Sequence, residues 1–152
     1  MTISFAGHSC IPSNDKVKEI IKEQLLKIII DAKYITFYLG GYGKFDEICA
    51  ATCRELKQQY GGIEIIYVTP YISTSEQKKI KELLNYGLYD STIYPPIENT
   101  HPKFAISKRN EWMMTNSDLI IAYVNQNYGG AYKSLQIAKR RNKRIINICD
   151  LL

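Results

Sequence analysis

No stretch of this chain is long and apolar enough to cross a bilayer as a helix. The longest apolar run, Leu25 to Ile30, is short and broken by Lys27. The opening residues, Met-Thr-Ile-Ser-Phe-Ala-Gly, lack the basic segment and apolar run of a secretory leader, so a cytoplasmic protein with no membrane partner is expected. There is no repeat, no low-complexity tract and no linker, which argues for one domain over residues 1–152. Histidine is nearly absent: His8 and His101 fall in separate loops. Cys49 and Cys53 stand one helical turn apart, a spacing that holds a metal only with two further ligands, so neither a metal nor a cofactor is expected. Cys10, Cys49, Cys53 and Cys149 read instead as small buried hydrophobes.

What is present is ordinary globular material: 45% hydrophobic and 23% charged residues, with a formal charge of +5. The excess of cations suits an anionic ligand but is spread along the chain. Only Lys139-Arg140-Arg141 with Lys143-Arg144 is dense. Those cations read first as a solvated helix end complementing the C-terminal dipole. No base-reading motif accompanies them, so nucleic acid is not expected as a partner.

Short apolar runs alternate with helical periodicity. Strands are predicted at Thr2 to Ala6, Tyr34 to Leu39, Ile63 to Val68, Thr92 to Tyr94, Leu119 to Val124 and Arg144 to Ile148. Helices are predicted from a cap at Ser13 or Asn14 to Asp31, then at Phe45 to Tyr60, Thr74 to Tyr86, Lys103 to Asn116 and Gly129 to Asn142. The third of these is polar and predicted to face solvent. Strands that are apolar on both faces imply a sheet covered by helices on both sides. The fold class is therefore α/β: a Rossmann-like three-layer sandwich with a mostly parallel sheet of five to six strands. Such sheets bind ligands beyond the carboxyl ends of their strands. Here those ends carry Gly7-His8-Ser9, Gly40-Gly41-Tyr42-Gly43, Thr69-Pro70 and Asn125 to Gly130, whereas the opposite loops are plainer.

Gly40-Gly41-Tyr42-Gly43-Lys44-Phe45-Asp46 joins a strand to a helix without the GxGxxG spacing. Its glycines let backbone amides approach a phosphate or sugar, and the helix adds its positive end; a merely tight turn is the plain alternative. Asp46 is either a ligand contact or a first-turn cap. Asn127-Tyr128-Gly129-Gly130-Ala131-Tyr132 is a second loop of the same kind, so one extended ligand can touch both. Arg109 shares a helical stripe with Ala105, Trp112 and Met113. A guanidinium on an apolar face needs an anionic partner, a paired acid or a route back to water. Lys108, beside Phe104 and Trp112, competes for the same phase.

These stretches resemble the SLOG superfamily, the Rossmann-like group that includes the LOG phosphoribohydrolases and the DprA nucleotide-fold domain. The resemblance covers most of the chain, which looks especially like small standalone SLOG proteins of bacteria and their phages. Leu39 to Asp46 carries it, together with Lys108-Arg109-Asn110-Glu111-Trp112-Met113 through Ser117-Asp118-Leu119-Ile120-Ile121-Ala122. The latter is similar to the LOG arginine, the methionine four residues on, and Ala/Ser-Asp before a hydrophobic strand. The resemblance implies ligand-binding roles for Arg109 and Gly130.

The LOG hydrolases carry Pro-Gly-Gly-x-Gly-Thr-x-x-Glu, with the glutamate serving glycosidic cleavage. In this chain Ala131 stands near the threonine position and Ser134 near the glutamate, and Asn125 to Ser134 contains no carboxylate. The expected function is therefore binding of a nucleotide or ADP-ribose-like ligand, by a sensor or sequestering protein in cyclic-nucleotide signalling, phage defence or anti-defence. A homo-oligomer is the expected assembly. The alternative is an N-glycosidic-bond enzyme, a phosphoribohydrolase or deoxyribosyltransferase, using Asp46 or Glu47. A second alternative is a DNA-associated module. The expected ligand-binding set is Gly7, His8, Ser9, Gly40, Gly41, Gly43, Phe45, Asp46, Thr69, Arg109, Met113, Gly129, Gly130, Ala131 and Tyr132, with catalytic residues left unassigned.

Overall fold

The structure is a computed structural model that describes residues 1–12 and 15–152. The expected helix cap at Ser13 or Asn14 lies outside the described residues. In chain order the elements are β1 (Thr2–Gly7), α1 (Asp15–Asp31), β2 (Ile35–Leu39), α2 (Lys44–Gln59), β3 (Ile63–Val68), α3 (Thr74–Asn85) and β4 (Ser91–Ile93), then α4 (Ala105–Thr115), β5 (Leu119–Tyr123), α5 (Gly130–Arg140) and β6 (Arg144–Asn147). Short 3-10 turns at Pro102–Phe104 and Ile148–Leu151 complete them.

The six strands form one sheet in the order β4-β3-β2-β1-β5-β6, and every neighbouring pair is parallel. The expected Rossmann-like sheet of five to six strands is present with six, and all of them run parallel. The physical reason is double-sided burial. Ile3 and Phe5 of β1 pack into the core under α1 and α2, while Ser4 and Ala6 face α4 and α5. All five residues of β5 are buried. Each large apolar side chain so buried contributes about 1.5–3 kcal/mol relative to exposure.

The chain steps outward from β1 to β4, then returns to the other side of β1 to lay down β5 and β6. Neighbouring strands β1 and β5 therefore feed their connections in opposite directions. A crevice opens between their carboxyl ends, where such sheets bind ligands.

Local chemistry explains where the elements depart from expectation. Helix α4 starts at Ala105, because Pro102–Phe104 winds as a 3-10 turn whose His101 Nδ1 accepts from the Lys103 amide at 3.1 Å. Helix α5 starts at Gly130, because Gly129 takes a φ of 93° outside the helical region. Helix α3 is largely exposed as expected, with one exception. Glu76 is buried and accepts from the hydroxyls of Tyr67 at 2.8 Å and Thr69 at 3.0 Å. Among the described residues no helix is long and apolar enough to cross a membrane.

Candidate functional site

At the end of β1 the chain has no room for a side chain. A Cβ on Gly7 would lie 2.2–2.6 Å from the ring and Cβ of Phe45, itself fully buried at the start of α2. The next residues tie three loops together. The Ser9 carbonyl accepts from the Lys44 amide at 2.9 Å, and the His8 amide donates to Tyr123 O at 3.3 Å. His8 Nε2 in turn accepts from the Asn125 amide at 3.2 Å.

The first glycine loop closes over Arg109. This arginine, 2% exposed on α4, donates from Nη1 to Gly40 O at 2.9 Å and to Val68 O at 2.6 Å. Its Nε donates to Asn110 Oδ1 at 2.9 Å, and its guanidinium lies 5.4 Å from the Tyr42 ring centroid. One cation therefore ties the ends of β2 and β3 to α4. The glycines follow from this clamp. A Cβ on Gly40 would sit 2.9 Å from Arg109 Cζ, and one on Gly41, at φ 74°, would sit 2.5 Å from the Tyr67 ring. Lys108, which competed with Arg109 for the inward phase, is exposed and pairs with Glu111 at 3.3 Å.

Asp46 is half-buried in the first turn of α2 and reaches back to accept from the Tyr42 amide at 3.4 Å. Burial pushes its carboxyl up to about 6, against the pull of the Arg109 guanidinium and the amides of Tyr42, Gly40 and Gly41. Burial likewise lowers the Arg109 pKa, and the Asp46 carboxylate opposes that shift. Asp46 thus caps the loop and also faces the space beyond it.

That space is a cavity of about 360 Å³ at the crevice between β1 and β5. Of the residues expected from sequence, Gly7, His8, Ser9, Asp46, Arg109, Gly129, Gly130 and Ala131 line it. The others do not. Gly40, Gly41, Gly43 and Phe45 form the packing behind it, with a Gly43 Cβ blocked by Ser9 Cα at 2.8 Å. Thr69 is buried beside Glu76, Met113 is in the core with Val68 and Ile120, and Tyr132 packs beside Val124 and Leu135.

The two glycine loops therefore differ in kind. The first is filled by Arg109, Tyr67 and Ser9, whereas a Cβ on Gly129 or Gly130 would meet nothing within 4 Å. Backbone at the start of α5 is open to a ligand; backbone of the first loop is held by protein. Sequence reasoning missed Cys10, Tyr42, Ile106, Asn110, Met114 and Ser134 as lining residues. Ile106, Asn110 and Met114 are spaced by four, the stripe beside Ala105, Arg109 and Met113, and that spacing was the available signal. Cys10 corrects another expectation: Cys49 and Cys53 are buried, Cys149 is half-buried, but Cys10 is exposed at the cavity.

The sheet is similar to solved DNA processing proteins. It superposes on DNA processing protein A from Helicobacter pylori with a TM-score of 0.57 and 18% identity, covering 95% of this chain and 63% of that one. With DNA processing protein A from Streptococcus pneumoniae the TM-score is 0.63 at 18% identity, covering 95% of this chain and 48% of that one. The chain thus spans about two thirds to half of those proteins' length. No curated protein matches the sequence significantly. The profile of the YspA SLOG family, however, matches residues 11–149, from the loop after β1 to the turn after β6. The chain belongs to the YspA SLOG family.

Proposed function

We propose that this protein binds a nucleotide or nucleotide-derived ligand in the cavity between β1 and β5. The observation that carries the reading is the meeting of a buried guanidinium, a half-buried carboxyl and an open glycine helix start around one cavity of about 360 Å³. Ligand pockets run from about 300 to 1,000 Å³, so this volume suits a single nucleoside moiety. Unsatisfied amides at the start of α5 favour a phosphate. The rings of Tyr42 and Tyr128 and the side chains of Ile106 and Met114 offer apolar walls to a base or ribose. A ligand that binds only the folded state raises the melting temperature by mass action. Nucleoside monophosphates and ADP-ribose at millimolar concentration are expected to do so. A folded protein whose melting temperature none of them moves would sink the reading. Roles in signalling, phage defence or anti-defence belong to this proposal as the setting for a sensor or sequestering protein.

Asp46 supports a second reading, cleavage of an N-glycosidic bond. A carboxyl titrating near 6 inside a ligand cavity can give or take a proton at neutral pH, and its anion can stabilise a developing oxocarbenium ion. Chromatography of long incubations with AMP, NAD or deoxynucleosides tests it. Base release that vanishes in Asp46→Asn while binding persists would establish an enzyme; no release leaves a binder.

The sequence-based expectation that nucleic acid is not a partner has no support from the comparisons, and the DNA-associated alternative stands beside the nucleotide reading. Both similar folds are DNA processing proteins, one described by its single-stranded DNA binding mode. Single-stranded oligonucleotides therefore belong in the same binding panel.

A further inference from the structure

The cavity does not end at the helix start. A groove of about 260 Å³ runs on between α4 and α5, sharing Ile106, Asn110, Gly130 and Ser134 with it and bounded outside by Lys103 and Lys133. We infer that this groove is a subsite for a second phosphate, so that the ligand is a nucleoside diphosphate or a pyrophosphate-linked nucleotide and not a monophosphate. The inference rests on the reading of the main cavity as a nucleotide site.

Three observations carry it. The first is Ser134. It is 4% exposed, lines both spaces, and its hydroxyl has no hydrogen-bond partner among the described residues. Among those residues no sealed side-chain polar atom is without a partner, so this hydroxyl is not sealed; it opens into the cavity and groove that the residue lines. A hydroxyl held in the wall of both spaces without a protein partner keeps its donor and acceptor capacity free for a polar ligand. The second is charge. The main cavity sets the Asp46 carboxylate against the Arg109 guanidinium, whereas the groove has two lysines and no carboxylate in its lining. Neither lysine forms an ion pair among the described residues, so both charges are free for an anion. The third is position. Gly130, the first residue of α5, borders both spaces, so one phosphate on its amides has the groove beside it for the next. Two ammonium groups and a hydroxyl suit a flexible, doubly charged diphosphate, which point charges can follow without fixed geometry.

Calorimetric titration tests this with paired probes: AMP and ADP, GMP and GDP, CMP and CDP, UMP and UDP, in buffer with EDTA so that no divalent ion screens the phosphates. For whichever base binds, the diphosphate is expected to bind about tenfold or more tightly than its monophosphate. Lys103→Met with Lys133→Met should abolish that preference and leave monophosphate affinity within about twofold. Both lysines are exposed, so the double variant is expected to fold. Equal affinity for mono- and diphosphate in the unmodified protein overturns the subsite while leaving the nucleotide site standing. A preference that survives the double substitution also overturns it. Binding of none of the eight nucleotides, nor of ADP-ribose titrated beside them, overturns both.

Discussion

Replacing Asp46 by asparagine should stabilise the ligand-free protein at pH 8. The side chain keeps its shape and an oxygen to accept from the Tyr42 amide, and loses only its charge. Burial raises the carboxyl from its ordinary 3.8 to about 6 even with Arg109 beside it, so the folded state penalises the anion relative to the unfolded chain. That penalty is complete above pH 6, shrinks as pH falls through the folded value, and is gone below the unfolded one near 3.8. A lift of this size corresponds to at most about 3 kcal/mol. The open cavity lets water reach the carboxylate, which reduces the figure to about 1–2 kcal/mol. For a chain of this length that is a rise in melting temperature of about 3–6 °C at pH 8. The assay is thermal unfolding of both proteins from pH 4 to pH 8. The two curves should converge toward pH 4 and part as pH rises, with wild type the less stable. A variant that melts below wild type at pH 8 would refute the reasoning. It would mean that attraction to Arg109 outweighs the cost of burial.

Arg109→Met should cost about 3–5 kcal/mol in urea unfolding, because it strips a donor from two buried carbonyls and leaves Asp46 without its cation. Lys108→Met, one residue away and exposed, should change stability by no more than about 0.5 kcal/mol. The two glycine loops should separate in the same assay. Gly40→Ala drives a methyl into the Arg109 guanidinium and should destabilise by about 1–3 kcal/mol. Gly130→Ala meets open space at the start of a helix and should leave stability unchanged or up by about 0.5 kcal/mol, yet weaken nucleotide binding by about tenfold as the methyl enters the cavity. A Gly130→Ala protein that binds normally would remove the second glycine loop from the site.

Much of the fold was legible because it rests on local periodicity. The apolar runs at Phe37, Ile65 and Ile121 are strands in the structure, and the stripe Val17, Ile21, Leu25, Ile28 is the buried face of a helix. The inward phase of Arg109 was one of two that the spacing allowed. The site was legible only in part. A glycine's sequence context is the same whether protein or ligand fills the space above it, so the two loops looked alike. Glu76 shows the same limit: a polar residue on a polar helix reads as exposed until Tyr67 of β3 and Thr69, just beyond it, hold it.

By itself the sequence determined that strands and helices alternate, that the sheet is covered by helices on both faces, and that the unusual residues gather at the strands' carboxyl ends. It also carried the family. Each of these follows from short-range patterning or from motifs read in order. Only the tertiary structure decided which glycines are open. Residues 69 positions apart, Gly40 and Arg109, meet there, and the cation that sequence offered as a ligand contact is the clamp that fills the first loop. Long-range packing consumed one glycine loop and left Gly129 and Gly130 free. That difference depends on what the rest of the chain brings to each loop, which neither loop encodes alone.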